Sequence, residues 1–193
     1  MINYKPQVVY FFIGFCLICF SGLSQESHAH LEHESHESSN KGLNRITVGL
    51  GHTHISEGKI DGDTEWLTLA SWSLNYDHWF SDEWAIGLQN DIVLESFIIE
   101  HGNEELLERS YPVSSVPVFL YKPGKKLVIF GGVGAEISKG NNLTMTRLGL
   151  EYGFHLSPKW EVGVTALWDG KWNYYNSWGL GFTFSRMWRK NLK

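Results

Sequence analysis

From Leu43 to Trp188 the chain falls into eight stretches in which apolar side chains alternate with small or polar ones, with turn-forming residues between them. A period of two marks extended chain, because successive side chains on a strand point to opposite faces. The alternation is clearest over 159–169, where Trp160, Val162, Val164, Ala166 and Trp168 share one face. Glu161, Gly163, Thr165, Leu167 and Asp169 share the other. The eight stretches predict strands at about 43–55, 65–80, 84–99, 110–121, 126–138, 143–156, 159–169 and 174–188. In the second, Ala70, Trp72, Leu74, Tyr76 and Phe80 oppose Ser71, Ser73, Asn75 and Asp77. In the third, Trp84, Ile86, Leu88, Ile92 and Leu94 oppose Ala85, Gly87, Gln89, Asp91 and Glu95. In the eighth, Trp178, Leu180, Phe182 and Phe184 oppose Gly179, Gly181, Thr183 and Ser185. Asn90 lands on an apolar face and predicts a bulge there.

The links carry a second pattern. Ser81-Asp82-Glu83, Lys122-Pro123-Gly124-Lys125 and Ser157-Pro158 are short, as is the Gly/Asn-rich link 139–142, whereas 56–64, 100–109 and 170–173 are longer and polar. An even strand number, with short and long links largely alternating, predicts an all-β, eight-stranded antiparallel up-and-down transmembrane β-barrel. Its apolar face meets lipid, and its polar face lines a lumen with room only for packed side chains. A soluble eight-stranded ligand carrier of the lipocalin kind would reverse that polarity, with its apolar face inside.

Composition sharpens this picture. Nine Trp and eight Tyr are a heavy load, and these rings favour a membrane–water interface. Trp79, Phe80, Trp84, Tyr121, Phe154, Trp160 and Trp188 lie beside the short links, and Trp66, Tyr111, Trp168, Trp172, Tyr174, Tyr175 and Trp178 beside the long ones. With this banding the chain resembles the small outer-membrane β-barrel proteins of Gram-negative bacteria, of the porin-like or OmpA/OmpX-like eight-stranded kind. The resemblance covers about 43–188 and implies a bacterial outer-membrane location, contact with outer-membrane lipid and a monomeric barrel. It is silent on function. Such proteins often end on an aromatic residue. Here Phe182, Phe184 and Trp188 have the spacing, and Arg189-Lys190-Asn191-Leu192-Lys193 follows them.

The first 24 residues read as a cleavable signal peptide: Lys5, an apolar run over Val8–Phe20, then Gly22 and Ser24 before a cut at Gln25. Residues 25–42 read as a disordered His-rich linker, and 43–193 as the barrel. Cys16 and Cys19 both fall in the leader, which leaves the mature chain no disulfide, thiolate ligand or Cys nucleophile. Of 16 Lys and Arg the leader takes only Lys5, so 15 face 21 Asp and Glu, a net charge of −6 that argues against nucleic acid as a partner. No apolar run long enough for a transmembrane helix follows the leader.

Candidate chemistry lies in three places. His28, His30, His33 and His36 crowd one short segment with Glu32 and Glu34. Neutral imidazoles bind Zn²⁺, Cu²⁺ or Ni²⁺, so a divalent transition metal is the expected ligand, although no cofactor is required. His52 and His54 share one strand face, and strict alternation sends both outward. At the upper mouth, Glu95, Glu136 and Asp169 stand at strand ends without an obvious cation beside them and complete a candidate metal set with those imidazoles. Elsewhere Arg45, Asp77, Asp91, Arg147, Glu151, His155 and Glu161 face inward, where charges must be paired or hydrated. Arg45 and Arg147 are expected to bridge neighbouring carboxylates. His155 and Ser157 resemble the His/Ser pairing of outer-membrane lipid A deacylases, which implies an envelope-lipid enzyme as the alternative function. Their place at a short turn puts them at the wrong end for outer-leaflet lipid. The expected function is therefore non-enzymatic, with a purely structural or adhesive barrel as a further alternative.

Overall fold

In the computed structural model, which describes residues 39–60, 63–101, 105–139 and 141–189, the alternating stretches form antiparallel strands, ten among the described residues. In chain order they are β1 (Leu43–Ile60), β2 (Asp63–Trp79), β3 (Trp84–Val93), β4 (Phe97–His101), β5 (Glu105–Arg109), β6 (Val113–Tyr121), β7 (Leu127–Ile137), β8 (Leu143–Ser157), β9 (Trp160–Lys171) and β10 (Asn176–Arg189). Eight of them close a cylinder in the order β1-β2-β3-β6-β7-β8-β9-β10. β10 pairs back onto β1 from Leu43↔Arg189 to Ile55↔Ser177. Closure gives every barrel strand a hydrogen-bonded neighbour on both sides, the condition for strands to cross hydrocarbon.

The polarity follows the alternation. Leu50, Trp72, Leu74, Leu88, Leu148, Val164 and Phe184 point outward and are exposed, and Phe182 reaches 75% exposure. Thr47, Asp77, Gln89, Arg147, Glu161, Thr183 and Ser185 point inward and are buried. A lipocalin-like carrier has the opposite arrangement. Asn90 also points outward, but the expected bulge is absent: Leu74↔Asn90 and Asn90↔Ser115 keep unbroken register. Its amide is satisfied locally instead. Nδ2 donates to the Leu74 carbonyl at 3.0 Å, and the Ser115 hydroxyl donates to Oδ1 at 2.8 Å. That pairing makes an amide tolerable on a lipid-facing surface.

The β6–β7 ladder has a gap. Ser115↔Ala135 and Val118↔Gly132 pair, while the residues between them, including Pro117, do not. Proline has no N–H to donate. Gly132 and Gly134 let the strands approach there, since a Cβ on either would strike the Pro117 or the Ser115 carbonyl oxygen.

The interior is not uniformly ionic. On the β6–β7 side Val116, Val118, Leu120, Val128 and Phe130 pack with Ala85, Met145 and Trp79 into an apolar sector. Trp79 was expected in the aromatic girdle but is turned inward and 2% exposed, with the Lys122 ammonium 5.6 Å from its ring centre. Along β6 both faces are apolar, so alternation cannot say which one is inside.

The larger departure lies at the long-loop end. The expected loops 56–64 and 100–109 are largely strand: β1 and β2 run on beyond the barrel, and β4 and β5 form a hairpin of their own. Past Ile55, β1 has lost β10 as a neighbour and shifts register between Ile55 and Gly58. Its free edge is taken by β4 at Gly58↔Ile99. The hairpin thereby buries Phe97 and Ile99 against Ile55, Leu67, Leu69, Val93, Leu143 and Tyr175. This second apolar core caps the mouth and explains why the third predicted strand breaks after Val93.

Candidate functional site

Below the cap the lumen holds two groups of charges. The upper one starts at Arg109, the last residue of β5 and fully buried. Its Nε and Nη2 donate to Glu136 Oε1 on β7 at 2.9 and 2.6 Å, and Nη1 donates to the Asn141 carbonyl at 2.6 Å. Tyr175 Oη donates to the same carboxylate at 2.7 Å, and its ring packs edge-on against Phe97. Lys171 Nζ donates to Ser177 Oγ and lies 3.6 Å from Glu136 and 3.8 Å from Asp169. Arg147 then grips Asp169 through Nε and Nη2, both at 2.7 Å, with Asp91 2.6 Å from Nη2. Three cations, Arg109, Lys171 and Arg147, thus match three carboxylates, Glu136, Asp169 and Asp91. Paired charges of this kind are tolerated in a low-dielectric interior, where single ones are not.

The second group lies toward the short-turn end. Arg45 on β1 reaches Asp77 on β2 at 2.8 Å, Glu151 on β8 at 2.6 Å and Glu161 on β9 at 3.1 Å. His155 Nε2 stands 3.3 Å from Glu161. One guanidinium therefore joins its neighbour β2 to β8 and β9 across the lumen. Between the two groups, beside the Gly49, Ser73, Thr165 and Gly181 wall, a cavity of about 40 Å³ remains, with the volume of a few water molecules.

The structure places those candidate residues that fall within the described segments. Arg45 and Arg147 do bridge carboxylates: Arg147 takes Asp91 and Asp169, and Glu151 belongs to Arg45. Glu136 and Asp169, expected to lack cations, are both ion-paired and buried, while Glu95 is exposed in the turn after β3. His52 and His54 point outward from β1, beside Leu180 and Trp178 of β10. His54 Nδ1 lies 3.0 Å from the Thr68 hydroxyl. These residues are not brought together, and among the described residues no cluster of three or more His, Asp or Glu is arranged to hold an ion. His28, His30, His33 and His36 lie outside the described residues. His155 and Ser157 sit on either side of a register irregularity at the short-turn end, with His155 engaged by Glu161.

Three site residues escape the sequence pattern. Lys171 continues the inward parity of Glu161 and Asp169, a signal hidden by placing it in a loop. Tyr175 looks like a girdle residue, and Arg109 sits in a segment with no usable periodicity.

A closed eight-stranded cylinder with an apolar outer belt and a packed polar lumen defines a small transmembrane β-barrel of the outer-membrane kind. The N-terminal β-barrel domain of OprF from Pseudomonas aeruginosa has the same fold. It aligns with 78% of this chain and 100% of its own length at 9% identity, with a TM-score of 0.51. Ail, the attachment invasion locus protein of Yersinia pestis, aligns with 75% of this chain and 99% of its own at 14% identity, TM-score 0.46. Neisserial surface protein A covers 78% and 99% at 8% identity, TM-score 0.48. No protein-family model and no curated protein sequence matches the chain.

Proposed function

We propose that this chain is a non-enzymatic, non-conducting protein of the bacterial outer membrane, with its short-turn end in the periplasm and its capped end outside. The observation that carries this reading is the filled lumen. Arg45 and Arg147 cross-link opposite strands, the apolar sector fills the β6–β7 side, and the β4–β5 hairpin covers the mouth. Function then lies in what the barrel presents at its ends. The N-terminal arm is the metal-binding element: His28, His30, His33 and His36 offer four imidazoles to Zn²⁺, Cu²⁺ or Ni²⁺. Glu136 and Asp169 are committed to cations and take no part in it.

Two measurements test this. In planar bilayers the purified barrel gives no unitary conductance, and steady openings that persist in Arg109→Ala and wild type alike refute the closed lumen. In calorimetry the full chain binds Zn²⁺ with a dissociation constant on the order of 1 μM at neutral pH, as expected for weakly preorganised imidazoles. Substitution of the four arm histidines by alanine removes that heat, and acidification below about pH 6 weakens it as imidazoles protonate. Equal heat from the alanine variant refutes the arm as the site.

A further inference from the structure

On the β7–β10 side, charge is sorted by sign between the two faces of the wall at the short-turn end. These strands contain four carboxylates, Glu136, Glu151, Glu161 and Asp169, and all four are buried in the lumen. On the outside, Lys126, Lys159 and Arg186 are exposed at the short-turn end of the same strands. Among the described residues no ion pair engages any of these three cations. The exposed carboxylates described at this end, Asp82 and Glu83, sit on the β2–β3 turn, on the opposite side of the cylinder. Asp82 is occupied there by Ser39 and Asn40.

The cations rest on a bed of aromatic rings. Lys126 Nζ lies 6.0 Å from the Tyr152 ring centre and 5.5 Å from that of Phe154, and the two rings meet edge-on. The Arg186 guanidinium lies 5.5 Å from the Trp160 ring centre, and Trp160 stacks on Phe184 at 4.9 Å. All four rings are exposed on the outer wall, at the height where a girdle meets lipid headgroups. The backbone beneath them is fixed. Gly153 N donates to the Lys126 carbonyl and Met187 N to the Lys159 carbonyl, both at 2.8 Å. Arg186 is in register with Trp160 on one side and Ile46 on the other. A cation over a ring face is held in place while its other N–H donors stay open.

Chemistry selects the ligand. A phosphodiester supplies acceptor oxygens, and a guanidinium can bind two of them at once. A zwitterionic headgroup brings its own ammonium, which needs an acceptor, and β7–β10 keep their carboxylates in the lumen. Location selects the source. Toward the bilayer centre the same strands expose Leu150, Val164 and Phe182, a surface for acyl chains. A free anion would meet the cations alone, whereas a lipid meets cations, rings and apolar wall together. We propose that this face binds the headgroup of an anionic phospholipid in the leaflet that meets the short-turn end. The proposal needs the membrane-spanning fold, and is independent of the arm histidines and of lumen closure.

The test uses the full chain folded in dodecylphosphocholine micelles at fixed ionic strength. It follows the Trp160 indole N–H resonance by NMR, assigned with Trp160→Phe. Dihexanoyl phosphatidylglycerol is the probe. Dihexanoyl phosphatidylcholine has the same chains without net charge, and sodium phosphate has the charge without chains. Phosphatidylglycerol is expected to shift Trp160 saturably and roughly tenfold more tightly than phosphatidylcholine, the order expected from two surface cations facing one anionic headgroup. Trp66 and Trp172, at the capped end, should stay in place. Lys126→Gln with Arg186→Gln is expected to abolish most of that preference while heat-modifiable gel migration is retained. Lys41→Gln with Lys139→Gln removes the same charge elsewhere and is expected to preserve it. Equal affinity for the two lipids, the same shift with sodium phosphate, or parallel shifts at Trp66 and Trp172 would overturn the proposal on the unaltered chain. So would an unchanged preference in the first pair of substitutions, or an equal loss in the second.

Discussion

Replacing Arg147 by methionine isolates the energetic weight of the upper charge group. Arg147 is 1% exposed and makes two hydrogen bonds to Asp169, with Asp91 in contact on its other side. Methionine approximates its aliphatic volume but leaves two carboxylates facing a site with no guanidinium. Removing one partner of a buried ion pair costs about 3–5 kcal/mol. Asp169 keeps Lys171 at 3.8 Å, which offsets part of the loss, so the expected value is about 3–4 kcal/mol. That is a shift of roughly 10²–10³ in the folding equilibrium. The double variant Arg147→Met, Asp91→Asn removes one charge of each sign and leaves Asp169 with Lys171, so it should recover more than half of the loss. Urea unfolding in phospholipid vesicles, read by tryptophan fluorescence and by gel mobility, measures both. A single variant within about 1 kcal/mol of the parent, or a double variant no better than the single, refutes the view that pairing keeps these charges inside.

Other perturbations probe other parts of the molecule. Phe182→Arg places a cation on the lipid-facing belt and should cost about 2–4 kcal/mol in the same vesicle assay, whereas Phe182→Leu should cost little. Gly132→Val should prevent folding to the heat-modifiable form, because its side chain collides with the Pro117 carbonyl. Arg109→Met removes the hairpin's bonds to Glu136 and Asn141, so limited proteolysis between residues 95 and 111 should accelerate, while the barrel's unfolding midpoint should fall less than in Arg147→Met because Glu136 keeps the Tyr175 hydroxyl and Lys171. At the short-turn end, the Ser39 hydroxyl, with help from the Lys41 and Asn40 backbone N–H groups, holds the Asp82 carboxyl below the ordinary aspartate range. A depressed carboxyl contributes stability above its unfolded pKa and loses it as pH falls through the folded value. The amides of Asn40 and Lys41 should therefore exchange faster with solvent only below the ordinary aspartate range, and in Asp82→Asn at every pH.

How far the sequence could be read depended on the contrast between the two faces of each strand. On β9, Glu161, Gly163 and Asp169 against Trp160, Val164 and Trp168 left one possible assignment, and the register matches it. On β6, Val116, Val118 and Leu120 lie inside while Pro117 and Phe119 lie outside, so polarity carried no information. Trp79 and Tyr175 were misplaced for a related reason. An amphipathic ring suits a girdle, but it also suits a wet lumen end where a cation or carboxylate meets it. The cap was hidden because Phe97 and Ile99 read as a continuation of β3, when what decides their pairing is the free edge of β1 far away in the chain. The charge pairing was foreseeable in kind, but its partners were not: Arg45 and Glu151 are 106 residues apart and meet only because the cylinder closes.

The interrupted rungs at Pro117 have a mechanical consequence. A cylinder held by continuous hydrogen bonds resists splitting equally all round, but here one line between neighbouring strands is interrupted at its middle, where close-packed backbones and greasy contacts take over. Thermal breathing should concentrate at that gap, so deuterium uptake within the bilayer ought to begin at Val133 and Gly134 while the β1–β10 junction stays protected. The barrel is thus weakest at a missing N–H in the middle of β6, and not at the junction where its first and last strands meet.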